Sequence, residues 1–247
     1  MQIQAVAIFR YPVKGLAGNA LAEATLEPDH ALPGDRRFGI ARGGADAGGA
    51  PRFLSLTRHP RLATLAAAFD AATSVLTISR AGRPVARGDI TAPAGRATIE
   101  QFFSAYMARE LQGPARLYDA CDDAAPGAVA GAFTDTPQQA VHILNLASVR
   151  DLERVTGTPI DARRFRANIH IDVAPAWCEL ASLGSTVAIG AARLLLEERT
   201  ERCAATNVNP DTAERDLNIP LALKRGFGHL DMGVYGRVVT GGRIVAG

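Results

Sequence analysis

The apolar positions in the first half of the chain fall in short runs that are broken by glycine and proline. The first run, IQAVAIFRYPV over 3–13, is rich in β-branched and aromatic residues and is ended by a proline, as is typical of a strand. Further runs of strand length lie at 36–42, 52–58, 63–70, 74–80 and 83–90, with a glycine-rich loop predicted at 43–51. Short strands at this spacing predict a barrel or a sandwich.

One stretch of the first half has helical periodicity instead. In residues 95–113 the apolar side chains recur three and four positions apart, and the pattern stops at Gly113, which predicts a helix. The segment 121–139 is poor in bulky apolar residues and rich in turn formers, which indicates a linker or a loop. We therefore predict two domains, 1–125 and 126–247.

The second half returns to strand patterns. AVHILNL at 140–146 predicts a buried strand, and Ser148 with Asp151 three residues later predicts the capped start of a short helix. Further strand patterns lie at 168–173, 186–190, 192–199 and 234–247. The predicted fold class is mainly β with a few helices.

Charge and composition then narrow the classes of function. The 247 residues include 27 basic and 25 acidic side chains, for a net charge of +2, which is too balanced to suggest a nucleic-acid surface. The sequence shows neither an apolar run of membrane-helix length nor a signal-peptide pattern, so we expect a cytoplasmic protein with no membrane partner. Three cysteines, at 121, 178 and 203, favour a reducing compartment and leave at least one free thiol.

Cys203 lies in RTERCAATNVNPDT, where the apolar run ARLLLEER has given way to charged residues. A strand end or loop is an accessible place for a thiol, and the adjacent Arg202 favours the thiolate. The thiolate is the form that ligates metals, carries sulfur or attacks an electrophile. A free cysteine at a strand edge explains the same pattern, because no histidine or second cysteine stands at metal-ligand spacing nearby.

Two short stretches of the first half are candidate anion sites. Lys14 in YPVKGL, and Arg36 with Arg37 in PGDRRF, place basic side chains beside glycine-flanked backbone, the combination that phosphate sites use. On these stretches alone, solvated turn residues or an ion pair with Asp35 are the favoured explanation.

A third basic cluster, DARRFRANIHID, precedes a predicted strand. It contains Arg163, Arg164 and Arg166, and Asn168 alternates onto the same face as Arg166. An arginine and an asparagine on one face can bind a phosphate and a heterocycle together. The rival interpretation is an arginine paired with Glu179 or another carboxylate inside the fold.

These stretches occur in an order that resembles a known family. YPVKGL, GDRRF, LTRHPRL, RFRANI, WCE, RCAATNVNPDT and GVYG resemble the motifs of the MOSC family in its long form, over nearly the whole chain. RCAATNVNPDT is similar to the molybdenum-site segment of the mitochondrial amidoxime reducing component and its bacterial relatives. The resemblance implies an N-terminal MOSC-type β-barrel domain with a helix over 1–125 and a β-barrel MOSC domain over 126–247.

The resemblance also implies a cofactor, a molybdopterin whose molybdenum is held by the pterin dithiolene and by Cys203. A soft thiolate suits a metal that is already bound to sulfur, and a single protein ligand leaves positions open for oxygen-atom transfer. The implied cofactor contacts are Lys14, Gly15, Arg36, Arg58, Arg166, Asn168 and Arg202, in a pocket between the two halves. For Arg58 the motif leaves two roles open, a cofactor contact or a brace for Asp35.

The chain departs from the family pattern at Gly15, where a serine is frequent, and at Ala167, where a proline is frequent. It stops at GGRIVAG, without the C-terminal ferredoxin-like extension of some relatives or the N-terminal domain of cofactor sulfurases. We therefore expect electrons or sulfur to come from a separate protein, such as a ferredoxin-like or a cytochrome- or flavin-reductase-like electron donor.

Two functions are implied. The first is a molybdenum-cofactor oxidoreductase, independent of pyridoxal phosphate, that reduces small N-hydroxylated or N-oxide substrates such as amidoximes. The second is a sulfur-carrier or cofactor-handling protein with a persulfide on Cys203, and a pterin-free binding module is a third class. We predict that Lys14, Arg36 and Arg166 converge on one anion site, and that Cys121 and Cys178 are incidental to it.

Overall fold

The fold is taken from a computed structural model of the chain, which describes residues 2–45, 51–122, 127–128, 132–134 and 139–247. Its strands are β1 Gln2–Ile3, β2 Ala5–Arg10, β3 Asn19–Leu21, β4 Glu23–Leu26, β5 Phe38–Ala45, β6 Pro51–Phe53, β7 Leu65–Asp70, β8 Val75–Arg80, β9 Arg83–Asp89, β10 Arg116–Asp119, β11 Val141–Asn145, β12 Ile169–Ile171, β13 Thr186–Ile189, β14 Ala192–Glu201, β15 Asp231–Thr240 and β16 Gly242–Val245. Its α-helices are α1 Pro93–Tyr106, α2 Leu146–Thr156, α3 Cys178–Ala181 and α4 Ile219–Phe227, and short 3-10 helices lie at Pro60–Thr64, Ala162–Phe165 and Ala204–Asn207.

One eight-stranded sheet joins the two halves of the chain. Its strand order is β1-β13-β14-β15-β11-β12-β2-β3. β2 pairs antiparallel with β12, and β1 pairs parallel with β13. Three strands from the start of the chain therefore complete a sheet whose other strands come from the second half, and the apolar core beside it draws on both, with Ile8, Ile143 and Val234 fully enclosed.

The rest of the first half forms smaller sheets, with strand orders β10-β5-β6 and β7-β8-β9, while β4 pairs with β16 from the end of the chain. Helix α1 packs against β9 and β10, and Phe103 from this helix joins Phe38 and Leu65 in a separate core. The mainly-β class with a few helices is confirmed. In the described parts of the chain the sheets are open, not the closed barrels that we predicted, because β1 and β3, the two edge strands of the large sheet, do not pair with each other.

Two helices differ in detail from their sequence predictions. The helix expected over 95–113 begins at Pro93, a residue suited to a first helical turn, and ends at Tyr106. Met107 follows in a turn and stays fully buried, so the apolar spacing past the helix end reflects packing of a turn. The prediction that Ser148 caps α2 is wrong, because Asn145 accepts the backbone N–H of Ala147 at 3.2 Å.

Ser148 and Asp151 have other partners. The Ser148 hydroxyl donates to Glu179 Oε1 at 2.7 Å, and the Asp151 carboxylate accepts from Trp177 Nε1 at 2.7 Å. Both side chains tie α2 to the segment that leads into α3. The capping pattern was misassigned because a buried carboxylate competes for the same hydroxyl.

The predicted loop 43–51 and linker 121–139 lie largely outside the described residues, and so does the predicted boundary at 125/126. The division into two domains stays a prediction. Among the helices of the described ranges, none has the length and apolar content that crossing a membrane requires.

Candidate functional site

A cavity of about 460 Å³ lies between residues of the first half and residues of the second. Seven of the predicted site residues line it, namely Lys14, Gly15, Arg36, Arg166, Asn168, Arg202 and Cys203. Lys14 and Arg166 are 152 positions apart in the chain, yet they line the same space. The fold therefore brings Lys14, Arg36 and Arg166 to one cavity, as we predicted.

Arg36 is held at the cavity wall by its neighbour Asp35. Asp35 is buried, accepts the backbone N–H of Tyr11 at 2.7 Å and forms an ion pair with Arg36. Burial is the largest single effect and lowers the pKa of Arg36, but Asp35 together with Tyr235 and Tyr11 raises that pKa above its ordinary value. The Asp35 ion pair considered from the sequence thus exists, and it fixes a permanent cation in the cavity.

Arg166 adopts a left-handed backbone conformation, with φ 53°, directly after the 3-10 helix Ala162–Phe165. Its guanidinium lies 4.4 Å from the centre of the Tyr11 ring and donates to the carbonyl of Leu16. Arg36 lies 5.2 Å from the same ring and donates to the carbonyl of Arg166 at 3.0 Å. The two arginines are therefore positioned together, one from each half of the chain.

The ring of Tyr11 packs against the guanidinium groups of both Arg36 and Arg166. It is 3 % exposed, and burial raises its pKa to about 12 against the opposing effect of Arg166 and Arg36. A phenol with that pKa stays neutral at physiological pH. The ring therefore presents a π-face to both cations without adding a negative charge that would cancel them.

Lys14 and Gly15 come from the turn after β2. The backbone N–H of Lys14 donates to the carbonyl of Phe38 at 2.8 Å, and its Nζ lies 3.4 Å from the carbonyl of Phe133. Gly15 has φ 83°, and a Cβ there would come within 3.2 Å of Leu62 Cδ1. Glycine suits this left-handed position, which gives a conformational reason for the departure from serine.

Asn168 lines the cavity but uses its amide to hold strands together. It is 1 % exposed, its Oδ1 accepts the backbone N–H of His142 at 3.1 Å, and its Nδ2 donates to the carbonyl of Phe9 at 3.3 Å. These bonds join β11 and β2 on either side of it. Its geometry is that of a residue that orders the cavity wall.

Arg202 and Cys203 follow the end of β14. Arg202 Nη2 donates to the carbonyl of Phe165 at 2.9 Å, and its backbone N–H donates to Leu230 at 2.9 Å. Cys203 is exposed, and its carbonyl accepts from Thr206 Oγ1 at 2.8 Å at the start of the 3-10 helix Ala204–Asn207. The thiol is therefore accessible on a backbone that is fixed at both sides.

The three arginines of DARRFRANIHID have separate environments. Arg163 is exposed and pairs with Asp161 and Asp211. Arg164 is buried, binds both oxygens of Asp216 at 2.7 and 2.8 Å, and donates to the carbonyl of Asn207 at 3.1 Å. Arg164 thus braces the loop after Cys203, although it also lines the cavity, whereas Arg166 contacts Arg36 there through its carbonyl.

The rival interpretation, an arginine paired with a carboxylate inside the fold, applies to Arg164 and Asp216, but among the described residues no arginine pairs with Glu179. The two carboxylate oxygens of Glu179 accept from Asn145 Nδ2 at 3.0 Å and from Ser148 Oγ at 2.7 Å. The buried carboxylate is therefore stabilised by neutral donors of the second half.

Arg58 is not brought to the cavity. Its side chain is exposed and does not line that space among the described residues. The brace for Asp35 that its motif suggested is supplied by Arg36 and Tyr11. Ser55 and Thr57, from the same turn, line the cavity instead.

The other two cysteines also lie away from it. Cys121 is exposed beside Asp119, whose carboxylate accepts its backbone N–H at 3.1 Å, and Cys178 Sγ lies 3.7 Å from the carbonyl of Val173. Burial raises the pKa of both thiols. In the described residues no group of three or more histidine, cysteine, aspartate or glutamate side chains could hold a metal ion.

Sequence reasoning missed several residues of the cavity, and His142, Thr200 and Tyr235 are three of them that bring polar side chains from strands β11, β14 and β15. His142 and Tyr235 are register partners on β11 and β15, with ring centres 5.3 Å apart. Burial, followed by Arg202 and Arg36, holds the pKa of His142 well below its usual value, so its imidazole is neutral. Tyr235 lies in the motif GVYG, and this motif was the one feature of the sequence that could have indicated Tyr235 as a cavity residue.

Two of these residues carry buried polar atoms with no hydrogen-bond partner among the described parts of the chain. They are His142 Nε2 and Thr200 Oγ1, in side chains that are 3 % and 2 % exposed. Lys14, Arg36, Arg166 and Arg202 line the same cavity and are called the cationic wall. Together with this wall, the two atoms make the cavity suited to a polar anionic ligand. An accessible thiol at its edge adds a soft ligand or nucleophile.

Comparison with known proteins agrees with the motifs. Residues 2–124 match the model of the MOSC N-terminal beta barrel domain, and residues 130–247 match that of the MOSC domain. No curated protein matches the chain significantly.

Solved structures give weak likenesses. YiiM from Geobacillus stearothermophilus matches with 20 % identity over 43 % of this chain and 50 % of that chain, with a TM-score of 0.35. The YUAD protein from Bacillus subtilis matches with 11 % identity over 99 % of this chain and 92 % of that chain, with a TM-score of 0.43. The first match spans half the length of YiiM, and at these scores neither likeness carries an argument. On the two family models, the chain belongs to the MOSC family, whose domain is associated with the molybdenum cofactor.

Proposed function

We propose that this protein is a molybdenum-cofactor-dependent oxidoreductase that reduces N-hydroxylated or N-oxide substrates, with Cys203 as the protein ligand of the metal. The observation that carries the proposal is that Lys14, Arg36 and Arg166 line one cavity with Cys203. Lysine and arginine are the donors that hold a phosphate ester, and a thiolate suits a metal that prefers sulfur.

The residues of the cavity fit a phosphorylated pterin. A volume of about 460 Å³ falls in the range of cofactor and ligand sites. Thr200 Oγ1 and His142 Nε2 lack partners among the described residues, and a heterocycle rich in donors and acceptors offers what such atoms need. The neutral His142 adds polarity without adding to the positive charge.

Each residue then has a stated task. Lys14, Arg36 and Arg166 bind the phosphate, Arg202 completes the cationic wall, and Asn168 orders the strands beneath it. Cys203 binds the metal from the cavity edge, where its exposure leaves room for a small substrate. The bound cofactor supplies the open metal positions at which an oxygen atom is transferred.

The overall reaction fixes what partners must supply. Cleavage of the substrate N–O bond takes up two electrons and two protons and releases water together with the reduced nitrogen compound, an N–H product from an N-hydroxylated substrate or the amine from an N-oxide. A separate electron-donor protein, ferredoxin-like or cytochrome- or flavin-reductase-like, provides the electrons. The small-molecule substrate provides the oxygen atom that leaves as water.

The experiment compares wild type with Cys203→Ser, both expressed in a host that makes the cofactor. Wild type should contain molybdenum and pterin and reduce an amidoxime with an artificial electron donor. Cys203→Ser should fold and keep some pterin, because the phosphate contacts remain, and its amidoxime reduction should fall to background, because a serine hydroxyl is protonated and a harder ligand. Cys178→Ser and Cys121→Ser are the controls and should keep wild-type turnover.

A second function, sulfur carriage, is favoured by one observation, the exposure of the Cys203 thiol at the edge of a basic cavity. Intact-mass measurement of the same wild-type sample separates the two functions. A molybdenum-free protein with a persulfide on Cys203 would establish the carrier, whereas undiminished turnover in Cys203→Ser would exclude an essential metal ligand at this position.

A further inference from the structure

The Cys203 thiol has a neighbour from the other half of the chain. Thr57 Oγ1 lies 3.8 Å from Cys203 Sγ, within hydrogen-bond range for sulfur. Both residues line the cavity, and they are 146 positions apart. Among the described residues, the hydroxyl of Thr57 has one hydrogen-bond partner, the sulfur of Cys203.

The turn that carries Thr57 is fixed at both ends. The carbonyl of Thr57 accepts a hydrogen bond from Arg215 Nη2 at 2.7 Å. Arg215 belongs to the segment after Cys203, where its backbone forms an isolated β-bridge with Val208. Within the turn, the backbone N–H of His59 donates to Ser55 at 2.8 Å. Thr57 is therefore held against the cysteine loop by backbone anchors that do not involve its own hydroxyl.

The chemistry of the thiolate sets the direction of this contact. A thiolate can only accept, so a hydroxyl beside it must donate. Hydrogen bonds to a ligand sulfur draw electron density from it, orient it and shift the reduction potential of the attached metal.

We propose that Thr57 is a positioning residue that donates a hydrogen bond to the Cys203 thiolate and thereby raises the reduction potential of the metal that this sulfur binds. The inference rests on the proposed molybdenum function. It assigns to the first half of the chain a direct influence on the metal, in addition to holding the phosphate through Lys14 and Arg36.

The test uses the cofactor-loaded protein and the pair Thr57→Val and Thr57→Ser. Thr57→Val keeps the shape but loses the donor, so its midpoint potential should become more negative and its sulfur-to-metal charge-transfer band should move to longer wavelength. Thr57→Ser keeps the donor and should match wild type. Thr77→Val, a threonine on β8 away from the cavity, is the control for the substitution itself.

Molybdenum and pterin content should be the same in all four proteins, which separates tuning from loss of the cofactor. Arg215→Gln, which removes the anchor of the Thr57 carbonyl, should shift the band in the same direction by a smaller amount. A molybdenum-loaded Thr57→Val protein with wild-type potential and band would overturn the inference alone. An equal shift in Thr57→Ser would also overturn it, and a wild type without molybdenum would overturn both this inference and the proposed function.

Discussion

Two polar clusters of this protein are equally buried but differ in how their atoms are satisfied. Around Glu179, the carboxylate accepts from Asn145 and Ser148, and the Ser148 hydroxyl also accepts the backbone N–H of Trp177 at 2.8 Å. In the cavity, Thr200 Oγ1 and His142 Nε2 have no partner among the described residues. Because buried polar groups are nearly always hydrogen-bonded, the first cluster is accounted for by its internal hydrogen bonds, whereas in the second a ligand or an ordered water can supply the missing partners.

The Glu179 cluster gives the largest expected effect. Glu179→Ala leaves two buried donors unsatisfied and should lower the free energy of unfolding by about 3 kcal/mol, measured by urea denaturation. Pterin content per folded molecule should not change. Glu197→Ala, which removes a surface partner of Arg237, should cost less than about 1 kcal/mol. Loss of pterin from folded Glu179→Ala protein would break the distinction between the clusters.

The cationic wall gives the next effect. Arg166→Met should weaken pterin retention by about 10- to 100-fold, because a hydrogen bond to a charged group contributes about 1.5–3 kcal/mol. The measurement is the fluorescence of pterin released from equal amounts of protein. Arg163→Met, three residues earlier and paired on the surface with Asp161 and Asp211, should retain pterin normally. Equal losses in both variants would show that general positive charge, not position, holds the ligand.

His170 is a useful exception to the comparison, since its Nε2 is buried and without a partner in the described residues although it does not line the cavity. Burial lowers its pKa to about 4, while Asp161 acts weakly in the opposite direction. Between pH 6.5 and 4 the unfolded chain then binds a proton that the folded chain does not, so stability falls as the pH falls through this window.

When the pH is lowered from 7 to 5, His170 should therefore lower the free energy of unfolding by roughly 2 kcal/mol. His170→Phe should remove that part of the pH dependence and keep normal pterin content, whereas the exposed His30→Gln should change neither. A loss of pterin in His170→Phe would mean that unsatisfied buried atoms outside the cavity also mark ligand contacts. Urea denaturation at the two pH values, with pterin analysis at pH 7, gives both readouts.

Thr200 gives the smallest effect and the sharpest contrast with Ser148. Thr200→Val removes a hydroxyl that has no partner among the described residues, so the free energy of unfolding should stay within about 1 kcal/mol of wild type or rise. Pterin retention should fall by about fivefold, the value of one hydrogen bond, and Thr200→Ser should restore it. Destabilisation by Thr200→Val with unchanged pterin retention would place this hydroxyl among the structural groups.

The sequence predicted the class of the fold and the family, and it brought together residues that the fold then placed around one cavity. Lys14, Arg36, Arg166 and Cys203 were predicted through the ordered motifs YPVKGL, GDRRF, RFRANI and RCAATNVNPDT, because each stretch taken alone also had a simple structural explanation. Patterns alone could not separate Arg164 from Arg166, because their difference is the tertiary partner Asp216.

Other features depended on contacts between distant segments. From the sequence, Asn168 was expected to contact the cofactor, but its amide is hydrogen-bonded to the backbone of His142 and Phe9. Ser148 was expected to cap α2, but its hydroxyl donates to the carboxylate of Glu179. Thr200 gave no signal, because a threonine on a strand is ordinary until its environment is known. The pairing of β1–β3 with the second half is likewise set by long-range packing, which single-strand patterns do not contain.

The central claim is that the cavity between the halves holds a phosphorylated pterin whose metal binds Cys203. Anomalous diffraction at the molybdenum edge, on crystals of protein from a cofactor-competent host, tests it most directly. We predict one molybdenum peak at bonding distance from Cys203 Sγ and phosphate density among Lys14, Arg36 and Arg166. A molybdenum peak elsewhere, or a sulfur atom added to Cys203 with no metal, would contradict the account.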